Sequence, residues 1–422
     1  MIKFFTLILL NIGCSLISNG QSNKDYWTIY NVNNSSIVSN HILRITPSVI
    51  DSNRLILSCK LGISFFDKSE NLLVSISPPD IPNKPVVGAA EISDSTLFFG
   101  FLDEGLGRYK NGEWTFFNSK NTGLRIDTIS DLFIKNDTVY FSEIHNGVYS
   151  FIDSSFRYLS KNIVSKDSKT TFKLTSDSSG NIWTSALGEI GKFNGDWTFI
   201  KPWKDTFLLD YIMRGISYDL ENQSIWVAAP VYEGFLQIKN QKVKKFNNPK
   251  LDVYSDITFS FHLGPFGHLW IATQDGVIIF DPKSETVLSN FTTFDSPLPV
   301  GPVRTISIDK KNSVAYFGTW GGGLAKWEYG KDPEFMAVMS APEVKSPTPL
   351  LISQNANQLI IQNLAPQSII SIFNLQGQLL IREKSNNQTA KTISPNFPSG
   401  IYLFKTSSPT GSTSQKFLFT KI

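Results

Sequence analysis

Leu269-Trp270-Ile271-Ala272-Thr273-Gln274-Asp275-Gly276-Val277 decides the fold. It reads as a short buried strand, a tight loop closed by a glycine, and the start of a second strand. Weaker copies recur along most of the chain. Anchored on one central strand residue each, the copies fall at Ile56, Phe98, Tyr140, Trp183, Trp226, Trp270 and Tyr316, with successive gaps of 42, 42, 43, 43, 44 and 46 residues. Seven apolar anchors at so even a spacing mark an internal repeat. A glycine follows each anchor: Gly62, Gly105, Gly147, Gly191, Gly234, Gly276 and Gly323. Turn-forming residues precede each, as in Asp51-Ser52-Asn53 and Asp177-Ser178-Ser179-Gly180-Asn181.

Around each anchor the pattern is strand, turn, strand, glycine loop, strand. A fourth strand shows in several copies, at Glu113-Trp114-Thr115-Phe116-Phe117, Ser155-Phe156-Arg157-Tyr158-Leu159 and Asp196-Trp197-Thr198-Phe199-Ile200. Four short strands per repeat describe a propeller blade, and the near absence of helical periodicity argues against a helical solenoid. The mid-strand tryptophans are expected to pack between neighbouring blades. The seventh repeat runs through Gly323-Leu324-Ala325-Lys326-Trp327 and then meets Pro333 without a clear fourth strand. Tyr26-Trp27-Thr28-Ile29-Tyr30 matches the Trp-Thr-Phe strands of the other copies, so the N-terminal strand is expected to complete the last blade and hide both edges of the ring. Closure by Glu334 to Met339 is the alternative.

At 422 residues, 41% of them hydrophobic, the chain has material for a large core and a second domain. A net charge of +3 without a long basic run gives nucleic acid little reason to bind. Lys3, the apolar run from Phe4 and the small residues Ser18-Asn19-Gly20 read as a signal peptide over 1–21, too short to span a membrane. No transmembrane segment is expected in the mature chain. Cys14 lies in the signal, which leaves Cys59 alone and excludes an internal disulfide. Gly13-Cys14 could mark a lipoprotein site, although Asn11 stands where an aliphatic residue is usual.

The central stretch, continued by Phe280-Asp281, resembles the two-component-regulator propeller repeat. Asp177, Gly180-Asn181-Ile182-Trp183-Thr184 match its first half, and Tyr316-Phe317-Gly318-Thr319-Trp320-Gly321-Gly322-Gly323-Leu324 its second. The resemblance covers about residues 40–330 and implies an all-β fold: a seven-bladed β-propeller. Such repeats occur in sensor ectodomains and in free secreted proteins. No kinase or DNA-binding segment follows, so a signalling role is not expected.

Residues 331–349 carry Pro333, Pro342, Pro347 and Pro349 and read as a linker. Short alternating strands then suggest a small immunoglobulin-like β-sandwich over 350–422, which leaves 22–330 to the propeller. This last segment is similar to the C-terminal sorting domain of the type IX secretion system. Phe373-Asn374-Leu375-Gln376-Gly377-Gln378 matches its central strand–turn–strand, Gly400-Ile401-Tyr402 its glycine–tyrosine strand, and Lys416 the basic final strand. The resemblance implies the type IX machinery as a partner, and a protein secreted by a Gram-negative bacterium or displayed on its outer surface.

Nothing in the sequence points to a catalytic motif, a cofactor or a metal. His41, His145, His262 and His268 lack ligand spacing, and Asp177-Ser178-Ser179-Gly180 lacks the alternating carboxylates of a calcium loop. Gly321-Gly322-Gly323 has no following Lys-Ser/Thr to hold phosphate. There remains the propeller face where the loops between second and third strands gather. It is expected to present Asp103, Glu104, Glu143, His145, Tyr232, Glu233, Asp275 and Trp320, with Arg214 and Arg304 from the loops entering the innermost strands: an acidic rim with a few arginines and two aromatics. Aromatics beside charged groups suit an extracellular glycan, another polar polymer or a protein, and a non-enzymatic binding module is the expectation. The alternative is a propeller enzyme acting on polysaccharide with Glu143 and Asp103 as its carboxylate pair.

Overall fold

The computed structural model describes residues 24–93, 96–152, 154–160, 170–202, 213–229, 234–246, 257–293, 296–339, 351–364, 368–374, 379–385, 388–408 and 411–421. The signal peptide, Tyr232, Glu233 and Gly377 lie outside the described residues.

Seven four-stranded antiparallel sheets follow one another from residue 27 to residue 327. Their first strands are Ile42–Pro47, Val86–Ser93, Ile129–Lys135, Thr171–Ser176, Ile216–Asp219, Thr258–Leu263 and Val303–Asp309. These strands touch one another in a closed cycle, the seventh against the first, and so line the axis of a seven-bladed ring. We number the blades in that order. The buried apolar residues divide into one cluster per blade–blade interface: blades 1–2, 2–3, 3–4, 4–5, 5–6, 6–7 and 7–1. Each of the seven anchor residues belongs to a different cluster. The sequence period therefore counts interfaces as well as blades. The second strands bury both faces because a blade has a neighbour on either side, which is why strands such as Leu269–Thr273 are apolar throughout rather than alternating.

The ring closes as its sequence predicts. Trp27–Tyr30 pairs antiparallel with Leu324–Trp327, in the register Trp27↔Trp327 to Tyr30↔Leu324, and forms the outer strand of blade 7. The Trp27 ring stacks on Trp327 at 5.0 Å and on Phe317 at 5.6 Å. The expected linker departs from expectation at its start. Pro333–Met339 is an α-helix whose Phe335 and Met339 are buried in the interface of blades 6 and 7, with the Phe335 ring 4.6 Å from that of Trp327. The reason is local. The Asp332 carboxylate accepts the Phe335 N–H at 3.1 Å, and Pro333 occupies the first helical position, where its missing N–H costs nothing. The helix also excludes closure by a strand at Glu334 to Met339.

A recurring turn explains several acids. Asp177 accepts hydrogen bonds from Asn181 and from the Trp183 indole N–H at 2.8 Å; Asp219 does the same for Asn222 and Trp226 at 3.1 Å. In the best-matched repeat Gly264 replaces the acid. The Trp270 indole N–H is then buried without a partner, and a Cβ on Gly264 would overlap the indole.

The C-terminal segment is a sandwich of two sheets. Leu351–Asn355, Gln358–Gln362 and Ala390–Ile393 form one. Leu379–Lys384, Ile369–Phe373, Gly400–Ser408 and Gly411–Phe419 form the other, in that order. Leu359, Ile361, Ile370, Ile372, Phe404 and Phe419 fill the space between them.

Candidate functional site

Six of the seven innermost strands carry a bulge one residue in from their start, at Leu43, Val87, Ser130, Phe172, Phe259 and Arg304. A bulge re-aims the side chains around it. These residues stand at the channel end nearest the loops between second and third strands. There the Arg304 guanidinium lies over the Phe259 ring at 4.3 Å and the Trp320 ring at 5.5 Å. His41 meets Trp320 edge-on at 4.8 Å, and the two residues share an isolated β-bridge that fixes the platform to blade 1. Burial, and then the Lys60 charge, lowers the His41 pKa, so the imidazole is neutral at pH 7.

The next residue inward forms a second ring, with Arg44, Asp131 and Lys173 at equivalent positions of blades 1, 3 and 4. Asp131 is 1% exposed, and it accepts from Arg44, from Lys173 at 3.4 Å and from the Leu174 N–H at 2.9 Å. Arg44 reaches it past Gly88 of blade 2, where the absence of a side chain leaves space for the arginine. Burial holds the Lys173 pKa well below that of an ordinary lysine, and the nearby Arg44 and Arg304 charges push the same way. Burial and Arg214 bring Arg304 down to about 10. His262, farther in on blade 6, is brought to about 3 by burial and by Arg44.

The expected rim residues separate into groups. Arg304, Trp320 and Arg214 come together at the mouth, joined by His41 and Phe259. Two of the acids, Asp103 and Glu143, are engaged elsewhere. Asp103 is exposed, accepts from the Thr128 hydroxyl at 3.1 Å and faces Lys84 at 3.9 Å. Glu143 is buried and accepts the N–H of His145 at 2.9 Å, while His145 itself is exposed. Burial raises the Glu143 pKa against the pull of His145, Thr128 and Arg125. Glu104 is partly buried and Asp275 exposed. Arg44, Asp131, Lys173 and Phe259 were not distinguishable as site residues, because each is one polar or aromatic position in an ordinary alternating strand. A residue-by-residue alignment of the repeats would have flagged charge at the same position of three first strands.

Among the described residues no group of His, Cys, Asp and Glu is arranged to hold a metal ion. Cys59 is buried, and burial pushes its thiol up to about 12, which makes it a core residue. No described helix is long and apolar enough to cross a membrane.

In the sandwich the Tyr402 ring packs at a tilt against Phe397, 4.2 Å between centroids, and donates its hydroxyl to the Pro398 carbonyl at 2.7 Å. Gly400 lies against the Tyr402 ring, and Lys416 pairs with Leu403 across the last hairpin. Asn374 directly follows the strand that pairs with both neighbours in its sheet. Ile401 and Leu418, paired across two strands, are exposed on the outer face.

Known structures agree with this architecture. The chain is similar to PorZ, a surface component of the type IX secretion system of Porphyromonas gingivalis, at 14% identity over 93% of this chain and 61% of that one (TM-score 0.56). It is similar to the extracellular domain of a putative hybrid two-component system of B. thetaiotaomicron at 16% identity over 93% of this chain and 57% of that one (TM-score 0.61). Virginiamycin B lyase of Staphylococcus aureus matches 71% of this chain over 98% of its own, at 15% identity (TM-score 0.56). The chain thus spans about three-fifths of the first two, and at these identities the likeness establishes the fold. No curated protein matches it by sequence. Residues 353–420 match the secretion system C-terminal sorting domain, and the chain is accordingly a propeller protein exported by the type IX route, to the medium or to the outer cell surface.

Proposed function

We propose that the propeller is a non-enzymatic binding module that holds an extracellular polymer at the mouth of its axial channel. One observation carries this reading: Arg304 is clasped between Phe259 and Trp320 and has no carboxylate partner among the described residues. An aromatic ring beside a free guanidinium is suited to a ring-shaped, hydrogen-bonding ligand, with the ring taking stacking and the guanidinium taking oxygen atoms. A rigid closed scaffold carrying variable loops supports the same reading. Retention of the mature chain on a glycan array, lost in Trp320→Ala, is the test; unchanged retention in that variant refutes it.

The enzyme alternative has one observation in its favour. Thr128 touches both expected carboxylates, giving its hydroxyl to Asp103 and its backbone to Glu143, whose pKa is raised. A buried carboxyl group with a raised pKa is what acid–base glycan cleavage uses as its acid. That reading requires product release from an extracellular polysaccharide that Glu143→Gln abolishes.

A further inference from the structure

Among the described residues the axial channel gathers more positive than negative charge. Arg44, Lys173, Arg214 and Arg304 come from blades 1, 4, 5 and 7, and the described carboxylate facing them is Asp131, already shared by Arg44 and Lys173. Arg214 and Arg304 are close enough to repel and have no ion-pair partner among the described residues. The Ser260 hydroxyl, in the same ring as Asp131 and next to blade 7, is buried with its hydrogen-bonding capacity unused. Like charges gathered in a partly desolvated space are unfavourable unless an anion joins them. A folded chain that keeps this arrangement has a place where an anion gains more than it would on an open surface.

We propose that the channel mouth receives the oxyanion group, sulfate or carboxylate, of an acidic glycan. Arg304 and Arg214 grip the anion, and Trp320 stacks on the sugar that bears it. The inference rests on the reading of the Trp320 face as a ligand surface and adds the ligand's charge to it. A glycan is favoured over an acidic peptide because the partly buried Trp320 ring, braced edge-on by His41, stands beside the cations. Arg44 and Lys173, held by Asp131, supply the field behind the site without needing to touch the ligand.

The test uses the mature full-length chain in ~150 mM salt, with dextran sulfate, polygalacturonate and unmodified dextran as probes. Dextran sulfate or polygalacturonate is expected to bind saturably and dextran not. Arg304→Gln and Arg214→Gln are each expected to weaken binding at least about tenfold. Inorganic sulfate, compared with chloride at matched ionic strength, is expected to raise the thermal midpoint of the wild type and not of Arg304→Gln. That variant removes a repulsion together with two ring contacts, so a cooperative transition close to that of the wild type separates lost binding from lost folding. Equal binding of dextran overturns the anion inference while leaving the ligand surface standing. Binding unaffected in the double arginine variant overturns it too. Stronger capture of polyglutamate than of either acidic polysaccharide overturns the choice of a glycan. Arginine-dependent binding that survives Trp320→Ala keeps the anion site and removes the aromatic surface from it.

Discussion

Deleting residues 24–32 tests the closure of the ring most directly. The deletion removes the four-residue ladder to Leu324–Trp327 and leaves that strand as a bare edge on blade 7. It also removes Trp27, which stacks on Trp327 and Phe317 and meets Phe291 edge-on at 6.3 Å, and Tyr30, which meets Phe66 of blade 1 at 5.1 Å. Truncating a buried tryptophan costs about 3–5 kcal/mol, and an aromatic pair adds about 0.5–1.5 kcal/mol beyond area. Trp27 is only partly buried, so Trp27→Ala alone should cost about 3 kcal/mol, near the lower end of that range. The full deletion should cost more than about 5 kcal/mol, enough to unfold a marginal domain. Urea unfolding followed by tryptophan fluorescence is the assay. All nine tryptophans lie between Trp27 and Trp327, so the signal reports the propeller and not the sandwich. A midpoint within error of the wild type in Trp27→Ala, or a soluble and equally stable deletion, would refute the closure argument.

Particular contacts set four other outcomes. Gly264→Ala should lose about 1–3 kcal/mol by the same assay, because its Cβ overlaps the Trp270 indole and a packed interface cannot yield. Asp219→Ala should cost about 1–3 kcal/mol by leaving the buried Trp226 N–H unpaired, and Asp219→Asn should recover part of it. His262 has a folded pKa of about 3 against an unfolded value near 6.5. The unfolded chain therefore binds the extra proton first, and stability falls as pH drops from about 6.5 towards 3, by up to about 1.4 kcal/mol per unit. His262→Gln should flatten that part of the pH–stability curve; an unchanged slope would show the imidazole to be solvated. Removing residues 353–420 should leave the propeller in the periplasm, and Ile401→Lys with Leu418→Lys should do the same without unfolding the sandwich, as fractionation and circular dichroism would show.

The fold was legible because a propeller repeats one packing problem. Each interface needs a large apolar residue in mid-strand, so Ile56, Phe98, Tyr140, Trp183, Trp226, Trp270 and Tyr316 recur at the spacing of a blade. The closing strand was legible for the same reason, since Trp27 has to fill the place held by Trp114 and Trp197 in other blades. The helix at Pro333–Met339 was not. A proline reads as a break until Asp332 is seen to cap a helical turn through Phe335, and four prolines close together favour the linker reading. The rim was legible as loop positions, whereas its grouping was not. Spacing along the chain says that Glu143 and Arg304 reach one face; it does not say that Glu143 folds back on its own loop while Arg304 turns to the axis.

The difference comes from where the ring keeps its stability. Interface residues face neighbours on both sides and are held to apolar types by packing. Residues at the channel mouth face the axis, where seven strands converge but need not fill the space between them. The repeats diverge there: Leu43, Val87, Ser130, Phe172, Phe259 and Arg304 occupy one equivalent position. Divergence alone would scatter charges of both signs around the axis. The second ring instead places Asp131 between Arg44 and Lys173, which neutralises part of the cationic field, while Arg304 and Arg214 at the mouth are left to repel each other. Charge that is partly neutralised within the channel and unpaired among the described residues at its opening is arranged for something arriving from outside. The cost of that imbalance is measurable before any ligand is known: Arg214→Gln, which removes the repulsion and leaves Arg304 on its rings, should unfold at the same temperature as the wild type or a higher one. A clear loss of stability would mean that the guanidinium is needed by the fold itself, and the case for a binding mouth would lose its electrostatic ground.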